Sequence, residues 1–151
     1  MLDDIDKALL RSLQADGRLS NVELARKVNL SPPATHTRLK RLERDGYIRQ
    51  YAAIVDREKA GYDLLCLILI GVQMHQVEQV EKFREATRKM PEVLECHHIT
   101  GEYDYLLKEA LKNRKDLERF VVDKITSIGV ARVHTSLVLA EVKSTMVLPL
   151  E

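Results

Sequence analysis

The hydrophobic pattern of this 151-residue chain changes near residue 50, and that change constrains its fold more than any other feature. Before that point, apolar residues recur at the spacing of short helices. After it, apolar runs rich in β-formers alternate with helical segments. The length suits one ordinary domain or two small ones. We therefore predict a helical domain over residues 1–50, a β-strand linker over 51–62 and an α+β domain over 63–151.

The first fifty residues predict three short helices. Asp3 or Asp4 can cap the first helix, which carries an apolar stripe of Ile5, Leu9, Leu10 and Leu13. Ser20 and Glu23 form a capping box for the second helix. Ser31-Pro32 begins the third helix and Gly46 ends it. A short helix, a tight turn and a third helix are typical of a helix-turn-helix, whose last helix enters the DNA major groove.

The third helix predicts an outer face suited to DNA. At 100° per residue, Thr35, Leu39 and Leu42 fall on the core side. Residues 1–50 carry ten Lys/Arg against seven Asp/Glu, and the excess is concentrated on the other side of this helix. A face that is merely solvated is the alternative. The candidate DNA-binding residues are Ser31, Pro33, Thr37, Arg38, Lys40, Arg41 and Arg44.

A strand is predicted over Tyr47 to Val55, and the rest of the chain predicts a plait. The predicted elements are a strand over Leu64–Val72, a helix over Val77–Arg88, strands over Val93–Ile99 and Tyr103–Leu111, a helix over Lys115–Ile125 and a strand over Val130–Val142. The order βαββαβ is that of the ferredoxin-like plait. Both helices cross one sheet face, so the apolar other face predicts a homodimer.

Short motifs occur in a fixed order along almost the whole chain. They are Leu2-Asp3-x-x-Asp6-Lys7-x-Leu9-Leu10, Asp16-Gly17-Arg18-x-Ser20-Asn21-x-Glu23-Leu24-Ala25, Leu30-Ser31-Pro32, Arg38-x-Lys40-Arg41-Leu42-Glu43, Gly46-Tyr47-Ile48-x-x-Tyr51, Pro91-Glu92-Val93-Leu94-Glu95-Cys96, Thr100-Gly101-Glu102-Tyr103-Asp104-Tyr105-Leu106-Leu107-Lys108, Glu141-Val142-Lys143 and Leu148-Pro149-Leu150. Each motif is modest, but their combination resembles the Lrp/AsnC family of leucine-responsive and asparagine-type regulators.

The resemblance implies a prokaryotic transcription factor that binds a double-stranded DNA operator. It implies an N-terminal winged helix-turn-helix joined by a strand to a ferredoxin-like (ACT-like, RAM) domain. That domain is expected to bind a small effector, usually an amino acid. Its dimers are expected to assemble into tetramers, octamers or hexadecamers.

The predicted effector site is the turn Thr100, Gly101, Glu102, Tyr103 and Asp104. Its backbone N–H groups and the Asp104 carboxylate offer both partners that an amino-acid zwitterion needs. Thr135 and Ser136 are candidates to complete the site from a neighbouring dimer. The family usually has aspartate where this chain has Glu102, a departure expected to alter effector choice or abolish effector binding. An exposed acid on a simple hairpin turn is the alternative.

Other function classes have weaker support. An acylphosphatase-like enzyme on the plait would need arginine and asparagine near residues 73–76, where there is no arginine; Asn113 is the only asparagine after residue 50. His97 and His98 would point to opposite faces of a strand, so no metal site is predicted. The sequence contains no nucleophile motif, phosphate-binding glycine loop or H-E-x-x-H motif, so no catalytic group or cofactor is predicted. An effector-free architectural module stays open. The chain predicts no transmembrane helix or signal peptide, a cytoplasmic location and two free thiols, Cys66 and Cys96.

Overall fold

A computed structural model describes residues 1–72 and 77–151 and contains two compact units. One comprises Met1–Ile54 together with Lys143–Glu151, and the other comprises Val55–Val142. This grouping differs from the predicted boundaries, because the last nine residues lie with the N-terminal unit. The Arg11 guanidinium donates to the Leu150 carbonyl at 2.7 Å, and the Gln14 amide exchanges hydrogen bonds with the Leu148 backbone.

The N-terminal unit is built from helices α1 (Asp4–Ala15), α2 (Asn21–Val28) and α3 (Pro32–Arg44). Asp3 caps α1, and Ser20 caps α2 through the predicted capping box with Glu23. The apolar core consists of Leu9, Leu10, Leu24, Leu39 and Leu42. The inward side of α3 is as predicted, because Thr35 is buried with Leu39 and Leu42.

The turn between α2 and α3 is fixed on both sides. Asn29 ends α2 in the left-handed region, with φ of 54°. The Asn21 amide donates to the Pro32 carbonyl at 2.8 Å and so joins the start of α2 to the start of α3. Asparagine tolerates left-handed angles better than most side chains. The orientation of α3 is therefore held by more than apolar packing.

The strand predicted over Tyr47 to Val55 is wrong for the single chain, since these residues adopt no regular structure. A strand requires a hydrogen-bonding neighbour, and none within the described residues pairs with this segment. Ile54 and Val55 are strongly exposed. Residues with high β propensity form a strand only where a second strand supplies hydrogen bonds. The linker strand expected from the resemblance is therefore not formed in the single chain.

The second unit is the predicted plait. Its elements are β1 (Leu64–Val72), α4 (Val77–Arg88), β2 (Val93–His98), β3 (Tyr105–Leu111), α5 (Arg114–Arg119), a π-helical segment (Phe120–Ile125) and β4 (Val130–Leu137). The four strands are antiparallel in the order β2-β3-β1-β4.

Two predicted elements differ in extent. The second helix continues α5 with a π-helical segment. The last strand ends at Leu137 instead of Val142, because Leu137 already lies opposite Cys66 and β1 begins two residues earlier, at Leu64. Beyond that point β1 offers little backbone for pairing. The plait prediction is confirmed, while its C-terminal boundary is corrected.

The core of the second unit lies between the helices and one sheet face, where Ile68 and Leu107 pack with Phe83 and Phe120. Cys66 also belongs to this core, as predicted. The alternation along each strand places Leu67, Leu69 and Leu106 on the opposite, helix-free face. These three leucines are only half-buried. None of the helices in the described residues is long and apolar enough to cross a membrane.

One buried carboxyl group lies on the helix side of the sheet. Glu109 of β3 lies opposite Cys66 of β1, and its side chain is 0% exposed. Neither carboxyl oxygen has a hydrogen-bond partner among the described residues. Burial raises the pKa of Glu109 to about 8; the negative charge of Glu92 also raises it, and Lys124 acts in the opposite direction.

Candidate functional sites

The outward side of α3 presents a polar and basic surface. Ser31 caps the helix, and its hydroxyl accepts from the Ala34 N–H. Pro33 in the first turn of α3 and Thr37 in the second turn are both exposed. The Lys40 and Arg44 side chains are 63% and 74% exposed. These residues lie together on one side of α3, as the sequence predicts, and are accessible to a groove.

Lys40 and Arg44 are held only by local ion pairs. Lys40 Nζ lies 2.9 Å from Glu43, and Arg44 Nε lies 2.9 Å from Asp45. Exposed pairs of this kind contribute about 0–1 kcal/mol. Both cations can therefore exchange their present partners for phosphate or base oxygens at little cost.

Arg38 and Arg41 differ from the other cations of α3, because both bind acids of α1. The Arg38 guanidinium donates to Asp3 at 2.6 Å and to Asp6 at 2.9 Å, and Arg41 also donates to Asp6. The Asp6 side chain is 0% exposed, whereas Arg41 is 39% exposed. The sequence analysis placed Arg41 fully on the outer face; its contact with Asp6 shows that it also joins α3 to α1.

The environment of Asp6 keeps its carboxyl group ionised. Burial acts to raise the pKa of Asp6, but hydrogen bonds from Arg41, the Asp3 backbone and Arg38 outweigh it, so the pKa lies below its ordinary value. A buried carboxylate is tolerated when it is paired and hydrogen-bonded. Asp6 was not among the predicted site residues, because it lies on the same face of α1 as the apolar Leu9 and Leu10. The spacing Asp3-x-x-Asp6 against Arg38-x-x-Arg41 was the available signal.

Several of these side chains share one surface. The residues that line a shallow cleft on the N-terminal unit are Asp3, Ala34, Thr37, Arg38, Arg41 and Arg44. Arg44 therefore lies beside the two arginines that bind Asp6. Together they form a continuous basic surface that a negatively charged backbone can contact.

The predicted effector turn lies at the end of the second unit's sheet. Thr100, Gly101 and Glu102 are exposed, while Tyr103 and Asp104 are half-buried. Gly101 has φ of 119°, a region that L side chains rarely adopt. Among the described residues, no acceptor lies within hydrogen-bond distance of the Glu102 or Tyr103 N–H.

Asp104 joins the effector turn to β1. Its N–H donates to the Ile70 carbonyl at 2.9 Å, and its carboxylate accepts from the Val72 N–H at 2.8 Å. One carboxylate oxygen of Asp104 already has a backbone donor within the chain. A substitution could therefore remove the charge of Asp104 and still keep an acceptor for the Val72 N–H.

Arg132 of β4 is part of the same site, although the sequence analysis did not identify it. Its guanidinium donates to the Glu102 carbonyl at 2.6 Å and to the Glu102 carboxylate at 3.2 Å, and it lies over the Tyr103 ring at 5.1 Å. Arg132 lies opposite Gly71 in the sheet, where an added Cβ would approach its Nε to 3.1 Å. This pairing has no local signal in the sequence, since the two segments are distant along the chain.

Thr135 and Ser136 lie further along β4 than the contacts of the turn. They are opposite Ile68 and Leu67, whereas Arg132 is opposite Gly71. Three residues of strand separate these positions by about 10 Å. The two side chains also point to opposite sheet faces. Within one chain the structure does not bring them to the turn, and their predicted role across dimers stays a prediction.

The remaining candidates behave as ordinary structural residues. His97 hydrogen-bonds Glu95, while His98 stacks on Tyr105, so the two rings lie on opposite faces as predicted. No group of three metal-ligating side chains comes together within residues 1–72 and 77–151. Cys66 and Cys96 are free thiols. Residues 73–76, on which the enzyme alternative depended, lie outside the described residues.

Comparisons with known proteins agree across both units. Residues 2–49 match a family model of winged helix-turn-helix DNA-binding domains, and residues 65–148 match the Lrp/AsnC ligand binding domain. The chain is 37% identical over 152 residues to the transcriptional regulator AzlB of Bacillus subtilis, covering all of this chain and 97% of AzlB. It is 36% identical to the leucine-responsive regulatory protein of Escherichia coli, with coverage of 95% and 88%.

Solved structures give the same result. The chain superposes with a TM-score of 0.94 on a transcriptional regulator of Neisseria meningitidis described as an L-Met complex. That protein is 41% identical, and the match covers 99% of this chain and 97% of that one. The matched models and relatives describe regulators rather than enzymes. The capped helix-turn-helix, the plait and these matches show that the chain belongs to the Lrp/AsnC family of transcriptional regulators.

Proposed function

We propose that this protein regulates transcription by binding an operator through the outer surface of α3, and that an amino acid modulates its DNA binding or its assembly. DNA binding is supported above all by the exposure of Thr37, Lys40 and Arg44 on one side of a capped helix. Arginine and threonine can contact base edges, and lysine can contact phosphate. A regulator of this kind acts in the cytoplasm, where its operator lies.

The DNA interface is tested by measuring operator affinity at several salt concentrations. Lys40→Ala is expected to weaken binding to every DNA sequence alike, because one phosphate contact is lost. The slope of log affinity against log salt concentration should become shallower by about one. Arg44→Ala is expected to weaken binding as well. Lys82→Ala, which removes an exposed lysine of α4, is the matched control. Unchanged affinity and slope in both α3 variants would refute this interface.

Arg41 needs a different experiment, because it binds Asp6. Arg41→Ala would leave a buried carboxylate with one partner fewer, so a loss of DNA binding could follow from altered folding. Arg41→Lys keeps the charge but removes the planar fork that reads guanine. If Arg41 reads a base, this variant loses preference at one operator position while its melting temperature changes little.

A homodimer that assembles to a tetramer or octamer is the proposed functional form. The helix-free sheet face carries Leu67, Leu69 and Leu106, and the extended segment up to Val55 exposes further apolar side chains. A second copy could cover that face and pair with that segment. Two copies would also present two α3 helices to a symmetric operator.

Sedimentation of the full chain tests the assembly. Leu69→Arg is expected to shift the protein to smaller species, because it places a charge in the proposed interface. Val122→Arg, on the exposed side of the π-helical segment, is the control and is expected to sediment like the parent. A monomeric parent at micromolar concentration would refute the proposal.

The effector site is proposed to comprise the turn Thr100–Asp104 with Arg132. The guanidinium suits an α-carboxylate, while the Asp104 carboxylate retains capacity for an α-ammonium group beyond its bond to Val72. The Neisseria relative described as an L-Met complex makes methionine the first candidate. Glu102, whose side chain is 74% exposed, would have to release Arg132 when the ligand binds.

Calorimetry with L-methionine and the other nineteen amino acids tests this site. Asp104→Asn is informative because an amide oxygen can still accept from the Val72 N–H while the charge is lost. A charge contact predicts a loss of about 1.5–3 kcal/mol in ligand binding. Arg132→Gln is expected to act similarly, and Arg114→Gln on α5 is the control. Full binding by both site variants would refute the assignment.

An effector-free architectural regulator is the second candidate, and the pairing of Glu102 with Arg132 favours it. The longer acid fills the position that the zwitterion would need. This candidate predicts no heat with any amino acid and no change in sedimentation, while DNA binding persists. Ligand binding gained by Glu102→Asp would then identify the glutamate as the obstacle.

A further inference from the structure

A second cleft lies in the plait, between α4 and the edge strand β2. It has a volume of about 450 Å³. The residues that line it are Arg84, Thr87, Arg88, Val93, Leu94, Glu95, Cys96, His98 and Tyr105. The volume falls within the range of small-molecule sites and corresponds to roughly fifteen water volumes.

The cleft is separate from the effector turn and its Arg132. Tyr105 and Cys96 lie on the helix-bearing face of the sheet, since they align with Ile70 and Leu107 of the core. Arg132 lies on β4, at the opposite edge of the sheet. Three strand spacings separate β2 from β4, or about 14 Å. A ligand in one place would not contact the other.

Two arginines give the cleft its positive charge. Arg84 is oriented by the Tyr105 hydroxyl, which accepts from its Nε at 3.1 Å, and by Glu81 at 2.9 Å. Arg88 is exposed in the last turn of α4, and no described acid lies within ion-pair distance of it. Partial burial raises the pKa of the Cys96 thiol, while the charges of Arg84 and Arg88 act to lower it. Arg84, Arg88 and Cys96 all line the cleft.

Glu81 pairs with Arg84 and partly neutralises it, while the other polar groups near the two arginines bond elsewhere. The Glu95 carboxylate contacts His97 at 2.9 Å and Lys108 at 3.3 Å, on the other side of the sheet. The Thr87 hydroxyl donates to the Phe83 carbonyl. His98 remains available as a hydrogen-bonding group, with its ring stacked on Tyr105 at 4.9 Å. The inner surface thus combines guanidinium donors, an imidazole and an aromatic wall.

We infer that this cleft binds a small organic anion, through a carboxylate or phosphate group held by Arg84 and Arg88. Guanidinium groups bind both kinds of oxyanion through paired hydrogen bonds. The inference does not depend on the proposed amino-acid site. It assigns the α4–β2 cleft as a second ligand site of the same domain.

Cys96 provides a local reporter, because it lines the cleft and is exposed whereas Cys66 is buried. The rate of Cys96 alkylation is measured at pH 8 with anionic iodoacetate and neutral iodoacetamide. The cleft predicts that Arg88→Gln lowers the iodoacetate rate several-fold more than the iodoacetamide rate. Arg88→Lys is expected to keep most of the preference, and Arg114→Gln is expected to leave both rates unchanged.

Ligand protection completes the experiment. Citrate and 3-phosphoglycerate, at millimolar concentration, serve as the carboxylate and phosphate probes. At least one is expected to slow alkylation of Cys96 by both reagents in the parent, with protection lost in Arg88→Gln. Protection by only one probe identifies which group the cleft prefers. No protection by either probe, or a reagent preference unchanged by Arg88→Gln, would overturn the inference.

Discussion

Glu109→Gln is expected to stabilise the protein above neutral pH, because this carboxyl group is buried and has no hydrogen-bond partner in the part of the chain that the structure describes. The side chain is 0% exposed, and burial raises its pKa from an ordinary 4.5 to about 8. The folded state therefore holds a proton that the unfolded state releases. Stability must then fall as the pH rises from about 4.5 to about 8, and level off above that.

The size of this effect follows from the two pKa values. Each tenfold difference in acid dissociation corresponds to about 1.4 kcal/mol. The interval from 4.5 to about 8 therefore gives a pH-dependent loss of roughly 3–5 kcal/mol on the alkaline side. Glutamine has nearly the same shape and cannot ionise, so the variant lacks this loss. The two proteins should have similar stability near pH 4.5.

Urea unfolding, followed by circular dichroism from about pH 5 to pH 9 at one protein concentration, measures the difference. The free energy of unfolding of Glu109→Gln should exceed that of the parent increasingly as the pH rises. Glu118→Gln, at an exposed position of α5, is the control and should follow the parent. Parallel curves for the parent and Glu109→Gln would refute the reasoning.

Three further outcomes are expected. Asp6→Asn should lower the free energy of unfolding by roughly 1.5–3 kcal/mol in urea titrations at neutral pH, the scale of a charged hydrogen bond. Because the pKa of Asp6 is lowered, its contribution is present above about pH 3.8 and disappears as the pH falls through the folded value, so the difference from the parent should vanish in acid. Gly71→Ala should displace the Arg132 guanidinium and weaken amino-acid binding in calorimetry, since the new Cβ would lie 3.1 Å from its Nε. Gly101→Val should lower the melting temperature and the affinity together, because valine avoids φ of 119°.

Local signals in the sequence predicted the helices and most strands. Ser20 with Glu23 and Ser31 with Pro32 mark helix starts, and each serine hydroxyl accepts from the backbone N–H three residues further on. The run Leu64–Val72 is apolar enough to form a buried strand in the correct position. Such features depend on neighbours in sequence, so one chain contains all the information needed to predict them.

The errors arose where a distant partner decides the structure. Tyr47 to Val55 has strand-forming residues, but strand formation depends on a second strand that the single chain does not supply. The interaction of Arg41 with Asp6 and that of Arg132 with Glu102 join segments about thirty residues apart. A helical wheel places Arg41 on an outer face but does not show that α1 reaches it. The spacings Asp3-x-x-Asp6 and Arg38-x-x-Arg41 place each pair on one helix face, but they do not show that the two faces meet.

The most direct test of the account is to sequence the genomic DNA fragments that the purified full chain retains. The account predicts enrichment of a shared two-fold symmetric motif, with half-sites about 34 Å, or a multiple of that, apart. It also predicts that a variant carrying both Lys40→Ala and Arg44→Ala loses the enrichment while keeping its fold. The absence of any shared motif, or equal enrichment by the variant, would contradict sequence-specific binding through α3.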